Sequence, residues 1–224
     1  MITSFESHMA YRLVNSKFPP IAIFDDVASQ EEFDDLYAVQ SLTNPRLQND
    51  IGQLNLVPES ERPYGIRGCS YALAPFVHLN PDGSRFSNGD YGVFYCADNV
   101  MTAIAETRYH QEKYFQKVES LKYDRIVMRA LKATFNARLE NITAPKFTPL
   151  HAPDDYSQAQ QFAATLRKSA GEGILYASVR SVGNECYALF SPKRITDVIQ
   201  TEHYEFIFDG TGISLVNKLI AMGP

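Results

Sequence analysis

The stretch GVFYCADNVMTAIAETRYH, residues 92–110, sets a strand and a helix back to back. Its first six residues are a short apolar run suited to a strand, with Val93, Tyr95 and Ala97 on one face and Phe94 and Cys96 on the other. Tyr95 and Cys96 therefore point in opposite directions. Asp98 or Asn99 then caps a helix that begins at once and carries Met101, Ala103, Ile104, Ala105 and Glu106 into Tyr109 and His110. On that helix Glu106 shares a face with Ala103, Tyr109 and His110. A carboxylate one turn beyond an alanine, close to a strand end, is placed to point into a pocket.

Working outward toward the C-terminus, residues 125–135 (RIVMRALKATF) read as a strand with partial alternation, followed by a loop punctuated by Pro145, Pro149 and Pro153. Ala159, Phe162, Ala163 and Leu166 then give a helical apolar stripe that ends near Gly171 and Gly173. Three short strands follow at Ile174 to Val179, Glu185 to Phe190 and His203 to Phe208, the last running into the turn Asp209-Gly210-Thr211-Gly212. Toward the N-terminus, Pro81-Asp82-Gly83-Ser84 is a turn, and residues 64–79 are apolar and aromatic enough for a strand or a buried loop. Ser29 and Glu32 make a capping box for a surface helix carrying Phe33, Leu36, Tyr37 and Gln40, which Pro45 stops. Residues 44–63 are polar and turn-rich and mark a boundary. Few helices among many short strands predict an α+β fold rather than a doubly wound sheet.

The chain has 224 residues, long enough for a core that needs no disulfide or metal staple. With 21 basic against 26 acidic side chains and no run of Lys and Arg, it lacks the footprint of a protein that neutralises nucleic-acid phosphates, so no direct nucleic-acid contact is expected. No segment approaches the roughly 18 apolar residues a membrane helix needs, and the first residues do not read as a signal peptide. A cytoplasmic location without membrane contact is expected. Cys69, Cys96 and Cys186 fit neither a disulfide framework nor a zinc pattern and read as buried small hydrophobes. The five histidines are scattered, so no metal site is expected. Glycine-rich dinucleotide, Walker and nucleophile-elbow signatures are missing.

Three segments together resemble the RES domain, a family named for its Arg, Glu and Ser. They are SRFSNGDYGVFYCAD (residues 84–98), TAIAETRYH (residues 102–110) and YASVRSVGNECYALF (residues 176–190). The first is similar to the family's Gly-Arg-Trp/Phe turn and Gly-x-x-Tyr strand. The second is similar to its helix in which small residues precede a Glu with a His four positions later, and the third to its Tyr-Pro-Ser-x-Arg, Gly-Asn and apolar-Phe pattern. Ser84 stands where the family usually has Gly, and Ala177 where Pro is frequent; neither change removes a functional side chain. The likeness covers roughly residues 64–200. It divides the chain into an N-terminal helical extension, residues 1–60, and a RES domain with a C-terminal strand and tail, residues 61–224.

The resemblance implies an ADP-ribosyltransferase-like core of short strands with flanking helices. It also implies a toxin of a toxin–antitoxin pair, neutralised by an Xre-type helix-turn-helix antitoxin. Such a toxin depletes NAD by phosphorolysis or hydrolysis of the nicotinamide–ribose bond, with NAD as substrate, inorganic phosphate as co-substrate and no true cofactor. One alternative is transfer of ADP-ribose to a protein such as phosphoribosyl pyrophosphate synthetase; another is a catalytically inactive RES-like binding module. The functional positions implied are Arg67, Arg85, Tyr95, Glu106 and Ser178.

The chemistry suits these residue types. A pyrophosphate is matched by the planar donor fork of arginine, for which Arg67 and Arg85 are candidates, although an arginine in such a place also commonly forms a surface salt bridge. Cleaving the nicotinamide–ribose bond passes through an oxocarbenium-like state that a carboxylate stabilises. Nicotinamide leaves a cationic pyridinium as a neutral base, so one carboxylate suffices, and Glu106 fills that place; without the flanking motifs it reads as a solvated helix glutamate. Tyr95 offers a flat face or a hydroxyl, or else is core. Ser178 bonds the ribose or orders Glu106, with no base set to make it a nucleophile. His110 reads as a packing or hydrogen-bonding residue rather than a catalytic base, and Arg180 and Asn184 as residues that shape the pocket or its turn.

Overall fold

The computed structural model describes residues 1–18, 20–44, 46–220 and 222. In chain order its strands are β1 (Ile2–Asn15), β2 (Phe94–Ala97), β3 (Asp124–Asn141), β4 (Gly173–Ala177), β5 (Glu185–Leu189), β6 (Ile195–Phe208) and β7 (Ile213–Leu219). Its helices are α1 (Ala22–Asp25), α2 (Gln30–Ser41), α3 (Leu47–Ile51), α4 (Cys69–Val77), α5 (Val100–Gln116) and α6 (Ser157–Lys168). Helices and a mixed sheet lie side by side, as the α+β expectation requires.

The axis of the sheet is β3. One edge of it pairs antiparallel with β1, from Ile2 opposite Glu140 to Asn15 opposite Met128. The other edge pairs with β6 along its first part and, at Glu140 and Asn141, runs parallel to β4. From β4 the sheet continues through β5 to β2, and Ala97 of β2 returns to Tyr11 of β1. Strands β1, β3, β4, β5 and β2 thus close into a ring, with β6 and β7 branching from it.

Two expectations change here. The core is not built of short strands alone, since β1, β3 and β6 are 14, 18 and 14 residues long. The first 60 residues are not simply helical either, because residues 2–15 are a strand of the central sheet. A bulge between Phe5 and His8, with Ser7 at φ 47°, shifts the phase of β1, and beyond it Ala10 and Leu13 are buried on opposite faces. A strand of that kind shows no clean alternation. Residues 69–77, inside the stretch read as strand or buried loop, form α4; Cys69, Ser70, Ala72, Leu73, Phe76 and Val77 are all buried. A helix covered nearly all round loses its amphipathic stripe. Pro45, read as the stop of α2, lies outside the described residues; α2 ends at Ser41.

Alternation along the strands sorts the core into two layers. Phe94 and Cys96 of β2, Leu175 of β4 and Tyr187 and Leu189 of β5 pack with α4 and the N-terminal helices on one face. Val93 and Ala97, Ile174 and Tyr176, and Cys186 and Ala188 pack with α5 and α6 on the other. The division seen in β2 is the one read from its sequence. All three cysteines are buried and unbonded to one another. Among the described residues no helix is long and apolar enough to cross a membrane.

Candidate functional site

The face carrying α5 and α6 gathers the polar residues. Asn99 caps α5, accepting from the Thr102 N–H at 2.9 Å, while Asp98 accepts from the Glu185 N–H at 3.1 Å and ties the helix start to β5. Ala103 and Ile104 then seat α5 on the sheet. Glu106 is carried to the end of β4, where the Ser178 hydroxyl donates to its Oε1 at 2.6 Å. The same Ser178 oxygen accepts from the Arg180 N–H at 3.2 Å and the Ser181 N–H at 2.9 Å. With its lone pairs held by backbone donors, the hydroxyl has its proton aimed at the carboxylate. Ser178 is 7% exposed, so the pair sits in a shielded place.

Arg85 lies in the turn before β2 and is 8% exposed. Its Nη1 donates to the carbonyls of Leu150 at 3.2 Å and Ala152 at 2.8 Å, and its guanidinium lies 4.7 Å from the centre of the Tyr156 ring. The arginines that pair with carboxylates among the described residues are Arg67, Arg108, Arg125 and Arg194. Arg85 is therefore a buried cation neutralised only by dipoles and a ring face. Tyr95 holds its turn: the Tyr95 hydroxyl accepts from the Phe86 N–H at 2.9 Å and shares a hydrogen bond of 2.8 Å with Ser84. Burial raises the Tyr95 phenol, opposed by Ser84 and by the Phe86 N–H. Its hydroxyl is thus occupied with the turn that carries Arg85.

Tyr176 lies under this group, 5.0 Å from Phe86 ring to ring, and burial pushes its phenol well up, with the nearby Cys186 and Glu106 adding and Arg85 opposing. Cys186 is raised by burial first and Glu106 second, so it stays a neutral thiol. His110, one turn after Glu106, is lowered by desolvation, with Glu106 opposing and Arg180, Arg85 and Lys113 adding.

Arg67 is not brought to this place. It precedes α4 on the opposite face of the sheet, its carbonyl accepts from the Val198 N–H, and its side chain is 70% exposed. Both donors of its fork meet Asp197 at 2.8 Å. Gly68 next to it, at φ 71°, fixes this geometry, because a Cβ there would stand 2.2 Å from the Val198 carbonyl oxygen.

Two residues without a sequence signal of their own join the site. His151 donates from Nδ1 to the Phe147 carbonyl at 3.0 Å and accepts at Nε2 from the Ala177 N–H at 3.3 Å, a pattern that requires the neutral ring. Desolvation lowers its pKa, opposed by the Phe147 carbonyl and helped by Arg85. Arg12 of β1 donates to the Tyr95 carbonyl at 2.8 Å and lies 5.1 Å over the Phe94 ring, again without a carboxylate. Arg12, Ser84, Tyr91 and Tyr95 line a cavity of about 190 Å³ beside the site. A wider one of about 590 Å³, along Ser29, Glu59, Arg62 and Tyr64, belongs to the N-terminal helices and is remote from Glu106.

A family model described as RES domain matches residues 62–209. The chain is 29% identical over 207 residues to an uncharacterized protein, y4oC, of Sinorhizobium fredii (strain NBRC 101917 / NGR234), a match covering 92% of this chain and 85% of that protein. A solved structure, the crystal structure of the M.tuberculosis MbcT-MbcA toxin-antitoxin complex, is similar with a TM-score of 0.43 and 11% identity, over 89% of this chain and 87% of that chain.

Proposed function

The chain belongs to the RES domain family, and on that premise we propose that it is an NAD-consuming toxin with an ADP-ribosyltransferase-like core, acting in the cytoplasm. The reaction breaks the bond between nicotinamide nitrogen and ribose C1′. The electron pair leaves with nicotinamide, and an oxygen of phosphate or water closes on C1′. Supporting this reading above all is the Glu106 carboxylate, oriented by Ser178 at 2.6 Å on the same face of the sheet as the Arg85 turn, whose guanidinium lacks a carboxylate partner among the described residues.

Each group has one task. Glu106 faces the cation that develops on the ribose, where a fixed carboxylate in a water-poor site acts most strongly. Ser178 is a positioning residue that holds Oε1. Arg85 supplies donors for the pyrophosphate, Tyr95 holds the turn that presents Arg85, and Arg12 adds positive charge behind Tyr95. Arg67, paired with Asp197, has no part. Uncontrolled NAD cleavage would harm the host cell, so the family reading includes a neutralising helix-turn-helix antitoxin of the Xre type.

Purified protein incubated with NAD, with and without inorganic phosphate, tests the reading. Nicotinamide release is expected in at least one condition, and the second product, phosphorylated or free ADP-ribose, identifies the acceptor. Release that begins only when a protein such as phosphoribosyl pyrophosphate synthetase is added would mark a protein ADP-ribosyltransferase.

A further inference from the structure

Residues 150–156 cross the candidate site, and several of their polar contacts run to residues on its rim. Arg85 donates to the carbonyls of Leu150 and Ala152, and Tyr156 covers the Arg85 guanidinium. The Ala177 N–H, next to Ser178, donates to His151. Arg180 donates to the Pro153 carbonyl at 2.6 Å, with its guanidinium 3.3 Å above the Tyr109 ring. Asp154 accepts from both the Tyr109 hydroxyl and the Lys113 ammonium, one and two turns beyond Glu106 on α5. The segment therefore reaches from α5 to the end of β4 across the Glu106–Ser178 pair.

Beyond the Arg85 bonds at its buried start, what holds the middle of the segment is polar and exposed. Leu150 and Ala159 anchor its two ends in the core, but Pro153, Asp154 and Asp155 between them are exposed. A stretch tied by one surface ion pair and exposed hydrogen bonds rather than by buried apolar area opens at low cost. In the closed arrangement the Nη1 donors of Arg85 are spent on carbonyl oxygens, which occupy the place where a diphosphate oxygen would accept.

We infer that residues 150–156 are a strap latched shut by Asp154 against Tyr109 and Lys113, which must lift off Arg85 before a diphosphate-bearing substrate can bind. The inference rests on reading the site as an NAD site. Closed strap and bound diphosphate compete for Arg85, so the apparent affinity is the intrinsic one reduced by the open fraction. Loosening the latch raises that fraction. An exposed ion pair of this kind sets the shift at about two- to five-fold.

The test uses the full chain and ADP-ribose, a diphosphate ligand that cannot be cleaved at the nicotinamide bond. Its binding is measured by calorimetry for the unaltered protein, Asp154→Asn and Lys113→Met, alongside hydrogen exchange of amides 150–156. Faster exchange in that segment with ADP-ribose bound two- to five-fold tighter is expected for both variants. Unchanged exchange, or affinity that stays level or weakens, overturns the strap while leaving the site reading intact. If none of the three proteins binds ADP-ribose, the NAD reading itself fails and the strap falls with it.

Discussion

At Ser178 a single hydroxyl joins a carboxylate to two backbone donors, and its removal separates orientation from binding. Ser178→Ala leaves Glu106 in place but frees its Oε1 to turn. A hydrogen bond to a charged group contributes about 1.5–3 kcal/mol, so NAD turnover is expected to fall about 10- to 100-fold, mainly in kcat, with KM nearly level. Steady-state kinetics checks this; a rise in KM with kcat unchanged would assign Ser178 to ground-state binding instead. His151 supports a second prediction. Its folded-state pKa is lowered, so below about pH 6.5 the unfolded chain takes up a proton that the folded chain refuses, and stability falls as pH drops. Thermal melts between pH 7.5 and 5 should show His151→Gln losing less stability on acidification than the unaltered chain, and parallel slopes would contradict that. Neither His151 nor Arg12 was legible as a site residue, because their partners lie 26 and 83 positions away. Arg67 illustrates the converse: its residue type suits a pyrophosphate, but only the sheet decides which face it occupies.

Among the elements, β2 and α5 were readable because their signals are local. Alternation over four residues and an Asn cap need no distant partner, and both stand where the sequence puts them. The capping box of α2 is also present, with Ser29 accepting from the Glu32 N–H, although the Glu32 carboxylate reaches back to the Ala28 N–H rather than to that of Ser29. β1 was not readable because its bulge breaks the period, and α4 because a helix covered nearly all round carries none to detect. The join between α4 and β6 leaves no room for a side chain at Gly68. Gly68→Ala forces a Cβ against the Val198 carbonyl at a φ of 71°, which should cost about 2 kcal/mol or more and lower Tm by about 4–8 °C. Calorimetry checks it, and a Tm within a degree of the unaltered chain would show that the join relaxes freely.

For the whole molecule, the family match begins at residue 62, while the sheet begins at residue 2. β1 covers most of one edge of β3 and buries Ala10 and Leu13 on opposite faces, so a chain starting at residue 62 leaves a long apolar edge unpaired. Such a fragment should aggregate or melt without cooperativity by circular dichroism; a cooperative melt like that of the full chain would show that β1 is dispensable. The negative net charge of the chain likewise acquires a location. Outside the helical segment 22–61 basic residues outnumber acidic ones, and two arginines that form no ion pair among the described residues, Arg12 and Arg85, flank Tyr95. An acidic protein can therefore present a cationic place to an anionic dinucleotide. The most direct test of that place is nicotinamide release from NAD by the full chain against Glu106→Gln, both shown to be folded. Release by the unaltered protein, reduced by about 100-fold or more in the variant, is the result predicted; equal release from the two would contradict the assignment of Glu106 as the group that carries the cleavage.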